Sequence, residues 1–233
     1  PEGKSKVNLA GVAHALLPFA KPAWGALLRN SLEKLSADEP SLHAALLLLG
    51  ASRDPAAEPV LANAFSKDSS RNAAIEALGL FGNTQPLADL RQTLARAETA
   101  CKFQTQPSQP AQPAEDDIQP YLFPTVHGAT IVETNIALYR LGDPEAIPRL
   151  LETQRRVRLL TRVFNNARKR RVHETDLTGQ SILKKLHEAA HNLEGLSEKL
   201  LQASGPIPES QVATFTKVAA NATDHDEVAW LVA

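Results

Sequence analysis

An all-α fold is predicted for this chain of 233 residues, and three observations predict it. Its apolar residues, 43% of the total, are mostly Ala and Leu, which favour helices. Aromatic residues make up only 5%, and the β-branched runs that would specify strands are scarce. A pattern of amphipathic segment, glycine and second amphipathic segment also recurs up to about residue 153.

The first copy is the weakest. "HALLPFAKPAW" places Ala15-Leu16 and Phe19 in register with the later copies, with Ala20 where they have glycine. The next three align on a glycine: "HAALLLLG" ends at Gly50, "AAIEALGLFG" at Gly82 and "ETNIALYRLG" at Gly142. The pairs Ala45-Leu46, Ala77-Leu78 and Ala137-Leu138 stand five and four residues before the glycine, and Leu49, Phe81 or Leu141 stands just before it. On a helix the four-back and one-back positions share a face, and the adjacent Ala allows close approach of a neighbouring helix. The glycine is expected to supply the left-handed conformation that ends each helix.

A second helix start follows each glycine. In "GDPEAIPRLLETQ", Asp143 can cap the next helix, Pro144 suits its first position and Glu145 complements the N-terminal dipole. "RDPAAEPVLANAF" repeats the device with Asp54-Pro55, and "GNTQPLADLRQTL" offers Asn83 or Thr84. Each unit reads as a helical hairpin. The anchors at 20, 50, 82 and 142 are separated by one period, one period, and one period plus an insertion. The insertion is "QTQPSQPAQPAEDDIQP", residues 104–120, whose four prolines and lack of apolar periodicity predict an extended loop.

At these residues the chain resembles the HEAT-like repeat family, in its short variety first described in phycobilin lyases. "LYRLGDPEAIPRLLE" (138–152) carries the resemblance most fully, then "ALGLFGNTQPLADLRQTL"; "ALLLLGASRDPAAEPVLANAF" has three extra residues after its glycine. The resemblance spans about residues 7–153. It implies an α-α superhelix, a right-handed HEAT-like α-solenoid whose stacked helix pairs form an extended binding surface, and it does not imply lyase chemistry. The expected organisation is a repeat domain over 1–153, interrupted at 104–120, followed by a C-terminal helical extension over 154–233 packed on the solenoid.

Past residue 153 the period fails. "RRVRLLTRVFNNARKRR" (155–171) reads as an amphipathic helix with Val157, Leu160, Phe164 and Ala167 on one face. Arg155, Arg156, Arg158, Arg162 and Lys169 make the candidate binding set, since guanidinium forks suit carboxylate or phosphate oxygens. The face reads either as a site for an acidic protein surface or as a solvated face whose charges pair internally. Nucleic acid is the alternative, weakened by the lack of base-stacking aromatics on that face.

"KKLHEAAHNLE" (184–194) contains H-E-x-x-H, in which His187 and His191 could grip Zn²⁺ while Glu188 activates a bound water. This zinc-hydrolase reading is a second alternative. A catalytic zinc takes three protein ligands, and the extension that would supply the third has Glu194 and Ser197 instead of glycine and histidine. Glu209, beside Pro206 and Pro208, is the one near candidate. The cluster Asp224, His225, Asp226 and Glu227 reads as the charged start of a helix. No glycine-rich phosphate loop appears, so neither cofactor nor metal is expected.

A formal net charge of -1 excludes a global field that would draw in nucleic acid or anionic membrane. The single cysteine, Cys101, excludes an intrachain disulfide and suits a reducing compartment. "AALLLL" (44–49) is the longest apolar run and far short of a bilayer span. A soluble cytoplasmic chain is expected, with an exported mature form as the alternative. The composite expectation is a non-enzymatic protein-binding scaffold.

Overall fold

The computed structural model describes residues 9–35, 40–100, 125–154 and 212–220, with Val157, Lys169, Lys184, Gly195 and Glu209. Every regular element among them is helical: α1 (Leu9–Leu16), α2 (Gly25–Leu32), α3 (Pro40–Ser52), α4 (Glu58–Ser66), α5 (Arg71–Phe81), α6 (Leu87–Ala100), α7 (Thr125–Arg140), α8 (146–154) and α9 (Val212–Ala220). Short 3-10 turns at Leu17–Phe19, Pro22–Trp24 and Pro55–Ala57 join them. The fold is all-α. Two compact units form, Pro1–Leu90 and Arg91–Ala233, with the boundary inside α6.

In the first unit α3 packs against α1, α2 and α5, and α4 packs against α5. The first helices of successive hairpins, α1, α3 and α5, are therefore neighbours. The core of this unit consists of Leu46 and Leu49 from α3, Ala57, Leu61 and Ala64 at and around α4, and Ala73, Ala74, Ala77 and Leu78 from α5; Leu46, Leu49, Ala77 and Leu78 among them are positions that the repeat register aligns. Small and branched side chains alternate here, so the helix backbones come close. The first copy behaves differently: Leu16 and Phe19, the counterparts of the buried Leu46 and Leu49, are exposed, Phe19 at 63%.

The glycines do two different jobs. Gly82 (φ 84) and Gly142 (φ 81) take the left-handed conformation expected of them. The N–H of Gly142 donates to Tyr139 O at 3.0 Å and that of Asp143 to Leu138 O at 2.9 Å, the paired bonds that satisfy the last carbonyls of a helix. Gly82 closes α5 with one bond to Leu78 O at 3.2 Å. Gly50 does not end its helix, contrary to expectation. It lies buried within α3, which runs on to Ser52, and Arg53 takes the left-handed position instead (φ 52). The three extra residues after this glycine are the reason: the helix uses two of them before it turns. Gly50 is needed for space, because a Cβ there would stand 2.2 Å from the carbonyl oxygen of Ala77 on α5.

In the second unit α7 is buried continuously from Thr130 to Tyr139. Its β-branched residues Ile131, Val132, Thr134 and Ile136 are mediocre helix formers, so burial and not propensity holds the helix. Two of its buried polar side chains are hydrogen-bonded: Thr134 Oγ1 donates to Thr130 O at 2.6 Å, and Asn135 Nδ2 donates to Ile131 O at 3.0 Å and to Thr153 Oγ1 of α8 at 3.3 Å. Ala146, Ile147 and Leu150 of α8 are fully buried. The inserted segment 104–120 lies outside the described residues.

Candidate interaction surface

The three hairpin loops share one construction. Asp54, Asn83 and Asp143 each accept, through Oδ1, the backbone N–H two residues on: Ala56 at 3.1 Å, Gln85 at 3.0 Å and Glu145 at 2.9 Å. This Asx turn starts the chain into the second helix of the hairpin, which begins about one turn later than the capping residue alone implies. A proline follows each: Pro55, Pro86 and Pro144.

The remaining polar atom of each side chain reaches an earlier second helix or its start. Arg29 of α2 donates from Nη1 to Asp54 Oδ2, Asn83 Nδ2 donates to Glu58 Oε1 at the start of α4 at 2.7 Å, and Arg91 Nε of α6 donates to Asp143 Oδ2 at 2.7 Å. The first two partners lie 25 residues upstream and the third 52, the added length coming from the insertion. Each loop is thus tied by a side-chain hydrogen bond to the hairpin before it.

Electrostatics reinforce these ties. The hydrogen bond from Arg29, then that from Ala56 N–H, holds the Asp54 carboxyl below its ordinary value. Burial pushes Asp143 upward, but its bonds from Arg91 and Glu145 N–H outweigh that and leave it depressed. The same pair raises Arg91. Asp143, 2% exposed, is thus a buried anion that stays charged because a half-exposed guanidinium and a backbone N–H both serve it. Burial pushes the Tyr139 phenol up.

Of the binding set read from the sequence, Lys169 stands exposed on helical backbone, and Val157 beside the set is fully buried. Arg155, Arg156, Arg158 and Arg162 lie outside the described residues, as do His187, Glu188, His191 and the cluster at 224–227. Glu209 is exposed in a 3-10 turn. Sequence reasoning identified the caps but missed the ties across hairpins. A signal was there to be read: a polar residue, Arg29 or Glu58, stands 25 positions before the loop Asx in two copies. No helix among the described residues is long and apolar enough to cross a membrane.

Residues 136–154 match the PBS lyase HEAT-like repeat. No curated protein and no solved structure matches the chain significantly. The matched segment holds the closing turn of α7 at Gly142, the Asp143 cap and the buried face of α8, the same construction found at Gly82 and Asn83 in the first unit. By that match and that recurrence, the all-α chain carries HEAT-like repeat construction, matched at residues 136–154.

Proposed function

We propose that the chain is a non-enzymatic scaffold that binds another protein through its HEAT-like hairpins and the basic segment after residue 153. The observation that supports this reading is the loop construction: three hairpins are capped alike, and each loop is tied by a side-chain hydrogen bond to an earlier second helix or its start. Stacked repeats of this kind present extended surfaces to partners. Arg155, Arg156, Arg158, Arg162 and Lys169 favour a partner with acidic groups.

Affinity capture from the native lysate, with crosslinking to map contacts, tests the proposal. A defined partner should be held by the native chain and lost when Arg155, Arg158 and Arg162 are all changed to Glu. Persistent absence of a partner, together with a turnover assay that succeeds, would overturn it. Low-salt titration with duplex and single-stranded oligonucleotides completes the test. Tight binding that weakens steeply with salt would move the assignment to nucleic acid.

A further inference from the structure

Exposed large apolar side chains collect on the first hairpin. Six stand exposed among the described residues, and five of them, Leu9, Val12, Leu16, Phe19 and Leu27, belong to it. The repeat register shows what these positions are built for. Val12, Leu16 and Phe19 correspond to Leu42, Leu46 and Leu49 of the second hairpin, 30 residues on, and to Ala74, Leu78 and Phe81 of the third, 32 residues further. Both later sets belong to or pack against the core cluster, where Leu28 and Leu32 of α2, the second helix of the preceding hairpin, also lie. The first set stands open instead, with Val12 47% and Phe19 63% exposed. The other side of α1 meets the stack, with Ala13 buried and His14 beside Glu76 of α5. In α2, Gly25 and Arg29 meet Asp54 while Leu28 and Leu32 pack on the cluster. Leu27, two residues past Gly25 and so on the opposite side of that helix, is 71% exposed.

We propose that two copies of this chain pair through the first hairpin, in a two-fold contact that sets Val12, Leu16 and Phe19 of each copy against Leu27 of the other. The register position that covers the equivalent residues on α3 is an apolar second helix, and α2 of a second copy supplies one through Leu27. The contact thereby continues outward the packing that already joins α2 and α3. Charge allows it. Residues 9–20 contain no Asp, Glu, Lys or Arg, so two such faces meet without like-charge repulsion, and a strongly charged partner finds nothing there to pair with. A hairpin that closes a solenoid against water carries a polar outer face, whereas this one has the side chains of an interior hairpin. An isologous contact uses the same patch twice and stops at two copies. Five large side chains from each copy make an interface at the small end of the specific range, roughly 1,200 Å² or less in total, so dissociation in the micromolar range is expected. The pairing is separate from the basic segment after residue 153, so either contact can exist without the other.

Sedimentation velocity of the whole chain, over a concentration series that brackets the micromolar range, tests the proposal. The mass should rise from one chain of 25.2 kDa to two and stop there. Phe19→Ser with Leu27→Ser should weaken the association about 10-fold or more, because each dimer loses four apolar side chains from its contact. Both residues are exposed, so the variant should keep the native far-UV circular dichroism, and Leu27→Ser alone replaces it if it does not. Val212→Ser, at the exposed apolar residue of α9, should leave the association unchanged. So should Arg155, Arg158 and Arg162 all changed to Glu, and so should raised salt, since the contact is apolar. A chain that stays single at every concentration would overturn the proposal and leave this face to a different protein. Assembly that grows past two copies, or a dimer indifferent to Leu27→Ser but lost in the triple Glu variant, would overturn it as well.

Discussion

Gly50→Ala should destabilise the first unit, although glycine-to-alanine changes inside helices ordinarily stabilise. The helical backbone at Gly50 would accept alanine, and intrinsic propensity alone would contribute about 1 kcal/mol in its favour. Against this, the new Cβ would meet Ala77 O at 2.2 Å and the Ala77 carbonyl carbon and Cα at 2.8 Å. The obstructing atoms are backbone, so no side chain can rotate away. The helices must part by about 1 Å, and a gap of that size forfeits roughly a quarter to a half of the dispersion attraction across it. The contact that opens carries Leu46, Leu49, Ala73, Ala74 and Leu78. Overpacking of this kind costs about 3 kcal/mol, at the upper end of its usual range because the blocker cannot yield. The net loss is about 2 kcal/mol, which in a unit of this size lowers the melting midpoint by roughly 8–16 °C. Differential scanning calorimetry with far-UV circular dichroism measures it. Gly195→Ala is the matched control: Gly195 is exposed and helical, a Cβ there meets nothing within 4 Å, and the same change should be neutral or stabilising. A midpoint for Gly50→Ala at or above that of the native chain would show that α3 and α5 are not in the close contact described.

Three further outcomes are expected. Gly82→Ala meets no obstruction but must hold φ 84, so it should cost about 1–2 kcal/mol in urea unfolding, with Gly82→Asn costing less. Asp143→Asn should lose about 1–2 kcal/mol near neutral pH, allowing for the solvent around half-exposed Arg91. Because the folded Asp143 is depressed below its unfolded value of about 3.9, its contribution is complete above that pH, declines below it and is lost as pH falls through the lower folded value. Stability curves of the native chain and Asp143→Asn should therefore converge in acid, and parallel curves would refute the Arg91 tie. Chain purified without added metal should hold no stoichiometric zinc, and His187→Ala with His191→Ala should leave protein binding intact. Elemental analysis finding one tight zinc, lost in that variant, would make Glu188 a general base and the chain an enzyme.

Much of the hairpin architecture was legible in the residues themselves, because its determinants are local. Ala and Leu at fixed distances before a glycine make an amphipathic helix with a stop, and Asp-Pro after it makes the next start; Gly82, Gly142 and Asp143 behave as that logic requires. What local periodicity could not convey was the role a residue takes against a second helix. Gly50 looks like a helix stop in sequence and is a packing glycine in the fold, since only the position of Ala77 on α5 distinguishes the two roles. Leu16 and Phe19 match buried positions in register yet are exposed, because burial requires a neighbour on that side. The pairing of Arg29 with Asp54 and of Arg91 with Asp143, and the convergence of His14 and His43 on Glu76, join residues 25 to 62 positions apart. Such partners meet only when hairpins stack, so local periodicity determined the elements of this protein, and the stacking of those elements decided which polar side chains became neighbours.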